Sequence, residues 1–149
     1  MLLVLSCSNN NSNSSNQDNQ SKSSPIAVPL KDSIDFSLQT FETIPNEIDG
    51  CACLFYLSKK DEANKKYLFA NDFASVAFVS INGKIKKFNL KQHKEGSDMY
   101  LYHSDNFDLK IEISKRANGG DETSSVEGVL TLSSGTKVIK KNFVGSCGC

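Results

Sequence analysis

From Ile34 onward the chain keeps placing apolar side chains two residues apart. Phe107, Leu109, Ile111 and Ile113 alternate with Asp108, Lys110 and Glu112, and Ile34, Phe36 and Leu38 alternate with Asp35, Ser37 and Gln39. A period of two is the signature of a strand with one buried and one solvated face, so both runs predict half-buried strands. Similar though shorter runs predict strands at 51–57, 66–70, 75–81, 84–91, 99–103, 128–133 and 136–144. Ile81-Asn82-Gly83-Lys84 predicts a tight hairpin, since Asn-Gly suits two successive left-handed residues, and Ser133-Ser134-Gly135-Thr136 predicts a second. The alternation slips at Lys86-Lys87, which predicts a bulge. Lys59 to Lys66 is polar all round and reads as a loop or a single helical turn, and Arg116 to Glu127 reads as the longest irregular loop. Strand following strand through short connections predicts an all-β fold. It is a single antiparallel meander of about eight or nine strands, a small barrel or a sandwich.

Composition divides the chain. Residues 8–24 are serine, asparagine and glutamine apart from Asp18 and Lys22, a tract with too little apolar surface to order itself, and it is expected to be a disordered tether. Residues 25–149 form the β domain, long enough for a real core. Formal net charge is zero and Arg116 is the single arginine among 17 basic residues, which is not the footprint of a nucleic-acid binder. Lys84, Lys86, Lys87, Lys91, His93 and Lys94 form a basic stretch, and Lys137, Lys140 and Lys141 a second. They read as solvated strand faces that discourage edge pairing, with an anionic glycan or lipid headgroup as the functional alternative.

Four of the five cysteines bracket the domain as Cys51-Ala52-Cys53 and Cys147-Gly148-Cys149. On a strand each C-x-C presents both thiols to one face. If the two strands lie antiparallel, Cys51 opposite Cys149 forces Cys53 opposite Cys147, at separations within disulfide range. Phe55 and Leu57 share the first face, and Ile139, Phe143 and Gly145 the last, so both are expected to look into the core. Two disulfides, Cys51 to Cys149 and Cys53 to Cys147, are the expectation; a four-thiolate metal site on the same cysteines, or a redox role, is the alternative. Four cysteines allow three connectivities, and sequence does not choose among them.

At the N-terminus Val4-Leu5-Ser6-Cys7 resembles the lipobox of bacterial lipoproteins. The resemblance implies that residues 1–6 are the remnant of a signal peptide, that Cys7 is acylated with palmitate-type chains, and that residues 7–24 tether the domain to a membrane. Ser8, rather than an acidic residue, points within that resemblance to the outer membrane. Ala77-Phe78-Val79-Ser80-Ile81-Asn82-Gly83-Lys84, then Gly96-Ser97-Asp98-Met99-Tyr100, then Phe107 to Ile113 resembles the strand order of the lipoprotein inhibitors of C-type lysozyme. Those are small β-barrels with a Ser-Gly-x-x-Tyr motif on the inhibitory loop. Here the first two motif residues are exchanged, and the resemblance implies a contact role for Ser97 and Tyr100.

Chemistry is otherwise sparse. No metalloprotease, nucleophile-elbow, phosphate-loop or dinucleotide motif occurs. His103-Ser104-Asp105 has the letters of a triad, but neighbours on a strand point in opposite directions. No enzymatic activity and no cofactor are expected. The expected function is a non-enzymatic cell-envelope lipoprotein acting as a binding or inhibitory module, its partner an envelope protein or glycan. Ser97, Tyr100, Asp121 and Glu122 are the candidate contact residues, on polar loops where recognition concentrates.

Overall fold

The structure, a computed structural model, describes residues 34–73 and 75–149. Cys7, the signal remnant and the tether therefore lie outside the described residues. The elements in order are β1 (Leu38–Gln39), β2 (Ala52–Tyr56), α1 (Lys59–Ala63), β3 (Phe69–Asn71), β4 (Val76–Ile81), β5 (Lys84–His93), β6 (Met99–Ser104), β7 (Phe107–Gly120), β8 (Thr123–Ser134) and β9 (Lys137–Gly148). Each strand from β2 to β9 pairs antiparallel with the next, and β9 returns to pair with β2. The meander is therefore a closed barrel rather than a sandwich, with β1 added to β4 beyond the end of β3.

The wall is strongly tilted. Successive partners of Val76 run through Asn89, His103, Asp108 and Ser133 to Val138, whereas Ala77 leads the other way through Asn71 and Cys53 to Cys147. The two circuits meet β9 far apart along its length, the stagger a small barrel needs to close.

Side chains fill the interior. Phe55 lies flat between Phe143, at 4.0 Å, and Phe69, at 4.7 Å, with Phe88, Leu109, Ile111, Leu130 and Leu132 completing the core. Each such side chain contributes roughly 1.5–3 kcal/mol through burial. A second cluster, Phe41, Tyr56, Tyr67, Ala70 and Phe78, sits outside the β2–β3–β4 wall beneath Ile44 and Ile48.

Several local expectations are met. Asn82 and Gly83 take φ values of 52° and 76°, the left-handed pair of a type I′ hairpin. Lys59–Ala63 is a single helical turn whose first amide groups are met by Ser58 Oγ, which accepts from the Asp61 N–H at 3.1 Å.

Others are corrected. Of the run 34–39 only Leu38–Gln39 joins a ladder; Ser37 instead donates its N–H to the Asn82 side chain at 2.8 Å, and Phe36 packs edge-on against Phe107 at 5.1 Å. The segment is thereby tied to a turn and a ring rather than to a neighbouring strand. No bulge occurs at Lys86-Lys87, where the β4–β5 ladder is continuous. Lys86 shares the inward face with Phe88 at the barrel end, lays its amine 5.7 Å from the Phe107 ring and reaches Asp105 at 2.5 Å. The register shifts fall instead at Lys91, Ser114 and Gly119. Leu57 is 42% exposed, because β2 ends at Tyr56 and the chain turns into α1. The second tight turn is Gly135-Thr136, one residue further along than expected, since Ser134 still pairs with Lys137.

The largest correction concerns Arg116 to Glu127. β7 continues to Gly120, β8 starts at Thr123, and only Asp121 and Glu122 lie between them. This polar stretch is a hairpin because β8 there has a full partner in β9, Ser124 opposite Cys147 and Val126 opposite Gly145.

Candidate functional site

The up-and-down path brings the β3–β4, β5–β6 and β7–β8 connections, the start of β2 and the end of β9 to one end of the barrel. That end is clasped by the cysteines. Cys53 and Cys147 are register partners with sulfurs 2.00 Å apart, and Cys51 and Cys149 continue the same register with sulfurs 1.93 Å apart. Cys53 and Cys147 are buried, whereas Cys149 is exposed and Cys51 half-buried. The inner bond belongs to the core, and the outer one faces solvent. Intact-mass measurement is expected to show a deficit of roughly 4 Da against the fully reduced chain, two hydrogens for each bond formed.

The candidate contact residues fall on two connections at this end. Ser97 shapes the β5–β6 turn, donating its N–H to the Lys94 carbonyl at 2.9 Å and accepting from the Met99 N–H at 3.2 Å. Tyr100 is not a free loop side chain: it packs partly against the core and stacks on His93 at 4.1 Å. Asp121 and Glu122 form the exposed tip of the β7–β8 hairpin, beside the chain end, with Thr123 opposite Gly148. Ser97 and Tyr100 thus belong to the β5–β6 turn and the start of β6, and Asp121 and Glu122 to the β7–β8 tip.

Two residues beside the β5–β6 turn were not among the candidate contact residues. Arg116 donates to Asp98 at 3.3 Å and to Ser124 at 3.0 Å, bridging the β5–β6 connection to β8, and His93 supplies the ring beneath Tyr100. The signals in the sequence for Arg116 were its being the lone arginine and its place at the start of the 116–127 stretch read as the longest loop. His103 lies 2.8 Å from Asp108 across the β6–β7 ladder, while Asp105 is taken by Lys86. The adjacent letters His103-Ser104-Asp105 therefore do not converge.

Inside this end Asn71, 5% exposed, organises the polar contacts. Its carbonyl accepts from the Cys53 N–H at 2.9 Å and the Phe73 N–H at 3.3 Å, and its amide donates to the Tyr102 hydroxyl at 3.1 Å. The adjoining cavity is only about 20 Å³, room for about one water-sized sphere, so it has no space for a ligand. Asn71→Leu leaves a buried N–H unpaired and is expected to cost about 1–3 kcal/mol in urea unfolding.

Burial pushes the Tyr102 hydroxyl up to about 12, against the lowering effect of the Asn71 hydrogen bond, and burial likewise raises Tyr56 to about 12. Both groups are held neutral by the fold. Their contribution is therefore complete below pH 10 and is lost as pH rises from 10 toward about 12. Unfolding followed against pH should show this alkaline loss diminished in Tyr102→Phe.

On the outside, a groove of about 540 Å³ over β7 and β8 runs into another of about 320 Å³, the two sharing Ser114, Lys115, Glu127 and Val144. Lys59 and Leu57 border it. Among the described residues no helix is long and apolar enough to cross a membrane. No family model, no curated protein and no solved structure matches this chain.

Proposed function

We propose that the chain is a lipid-anchored protein of the cell envelope, on the outer membrane, that acts as a non-enzymatic binding or inhibitory module through the clasped end of its barrel. The observation that carries this reading is the contrast between a filled interior and that end. The cavity among Phe55, Phe69 and Tyr102 is too small for a ligand, while the start of β2, the end of β9 and the β5–β6 and β7–β8 connections lie at the end that carries the disulfides. A clasped scaffold loses little conformational entropy when it meets a partner. The lipobox-like Val4-Leu5-Ser6-Cys7 and the polar tract after it support the anchor and tether.

Capture from envelope extract by the exported protein, together with inhibition of a C-type lysozyme, tests the reading. Replacing Ser97 and Tyr100 by alanine is expected to weaken capture at least tenfold, a loss of about 1.4 kcal/mol. Capture that survives this pair and Asp121→Asn with Glu122→Gln would put the contact elsewhere. Palmitate labelling that marks Cys7→Ala as strongly as the parent chain would remove the anchor.

The exposure of Cys149 supports a second reading, thiol-dependent redox handling, while the two disulfides disfavour its metal-binding form. Reduction by a mild dithiol would then open Cys51–Cys149 before Cys53–Cys147, and the reduced protein would retain zinc or copper(I) through a desalting column.

A further inference from the structure

The barrel closes over only part of its height. β2 pairs with β9 from Ala52 opposite Gly148 to Tyr56 opposite Val144 and then leaves the wall for α1, while β9 is paired with β8 back to Lys137. Among the described residues no strand takes the place of β2 beside the first half of β9. Asp35 reaches Lys137, whose amine lies 5.0 Å over the Phe36 ring, so the foot of this edge is covered. Above it Val138, Lys140, Lys141 and Asn142 are exposed.

The ladders fix which backbone groups the edge presents. The Leu68 N–H donates to the Phe55 carbonyl at 2.7 Å, so Phe55 bonds toward β3 and Tyr56 toward β9, where it meets Val144. Bonding sides alternate along an antiparallel strand. Val138, Lys140 and Asn142 therefore aim N–H and C=O at the unpaired side, while Ile139 and Lys141 bond to Leu132 and Leu130 of β8. Such an edge is a template for one more strand, held by main-chain hydrogen bonds.

The side chains select that strand. Lys140 stands on the outer face; Lys141 stands on the core-side face, opposite buried Leu130, and is nevertheless exposed. Neither takes part in an ion pair among the described residues. A second copy of the chain is the wrong occupant. In each antiparallel register centred on Ile139, Lys140 or Lys141, a lysine falls opposite a lysine, Lys137 on Lys141 or one of the last two on itself, and like charges directly opposite oppose pairing. The same lysines favour acidic residues opposite them, with Val138 and Ile139 offering apolar neighbours.

We propose that this edge of β9 docks an extended acidic segment of a partner protein, added as a strand beside Val138 to Asn142. Two adjacent acidic residues lie opposite Lys140 and Lys141, and apolar residues flank them. The site is on the wall, short of the disulfides along β9, and stands or falls separately from the proposal for the clasped end.

The test is amide hydrogen exchange of the full chain, read by NMR, with a saturating capped peptide of sequence Thr-Val-Glu-Glu-Val-Thr. The Val138, Lys140 and Asn142 amides should exchange at least tenfold more slowly, with Ile139 and Lys141 unchanged because β8 already holds them. A peptide with lysine for both glutamates, and one methylated on its four central backbone nitrogens, should each bind at least tenfold more weakly. Lys140→Glu with Lys141→Glu should lose the acidic peptide and take the lysine peptide instead, a gain that damage to the fold cannot produce. The proposal is overturned by the absence of alternating protection, or by equal binding of the methylated peptide, which would mean contact through charge alone. Equal binding of the lysine peptide overturns it too, as does the same protection growing with the concentration of the free chain, which would make the occupant a second copy.

Discussion

Alanine at Gly145 or Gly128 is expected to cost roughly 3 kcal/mol or more, at the upper end of overpacking effects, and to leave a barrel of ordinary stability, about 5–15 kcal/mol, close to unfolding. A Cβ on Gly145 would stand 2.3 Å from the Leu54 carbonyl oxygen and 2.7 Å from the Phe55 ring; on Gly128 it would stand 2.1 Å from the Glu112 carbonyl oxygen and 2.7 Å from the Phe143 ring. Each glycine is the register partner of the aromatic it meets, Gly145 of Phe55 and Gly128 of Phe143. The missing side chains let the two rings settle across the neighbouring backbone and stack at 4.0 Å. A carbonyl held in a ladder cannot retreat as a flexible side chain can, so the clash falls on the wall itself. Urea unfolding followed by circular dichroism reads the loss. Gly50→Ala is the comparison: its Cβ would meet nothing within 4 Å, though φ is +91°, so only the backbone penalty of roughly 1–2 kcal/mol applies. A Gly145→Ala protein as stable as Gly50→Ala would contradict the packing described.

Replacing all four bracketing cysteines by alanine is expected to cost about 4–5 kcal/mol, whereas removing Cys51 and Cys149 alone should cost under about 1 kcal/mol. The two bonds span 98 and 94 residues. Either one closes nearly the same loop in the unfolded chain, so the second adds only the short segments between them. The losses are therefore strongly non-additive. Removal of Cys53 and Cys147 should fall between, since both are buried and leave a gap in the core. Equal and additive losses from the two pairs would show that loop closure is not what they contribute.

How much was legible in the residues depends on how local the cause is. The strand at Phe107 to Ile113 and the hairpin at Asn82-Gly83 declare themselves because alternating burial and left-handed φ act on a few neighbouring residues. The cysteine register was legible only as a conditional: if the two C-x-C strands lie antiparallel they admit one in-register double pairing, and the β2–β9 ladder, with Phe55 opposite Gly145, meets that condition. The polar run Arg116 to Glu127 was not legible, because its order comes from a ladder to β9 rather than from its own side chains. Neither were the contacts beside the β5–β6 turn: His93 beneath Tyr100, and Arg116 between Asp98 and Ser124, meet across strands.

By itself, then, the sequence determined the all-β class and the antiparallel meander, since each follows from period or turn chemistry, whereas the partners of the bracketing cysteines came from the β2–β9 register. Only the tertiary structure decided that the meander closes as a tilted barrel, that Gly128 and Gly145 make room for rings, and that Lys86 points inward along Phe107. Closure depends on the accumulated stagger of every strand, and close packing on atoms far apart in the chain. Neither quantity is carried by any single stretch of residues.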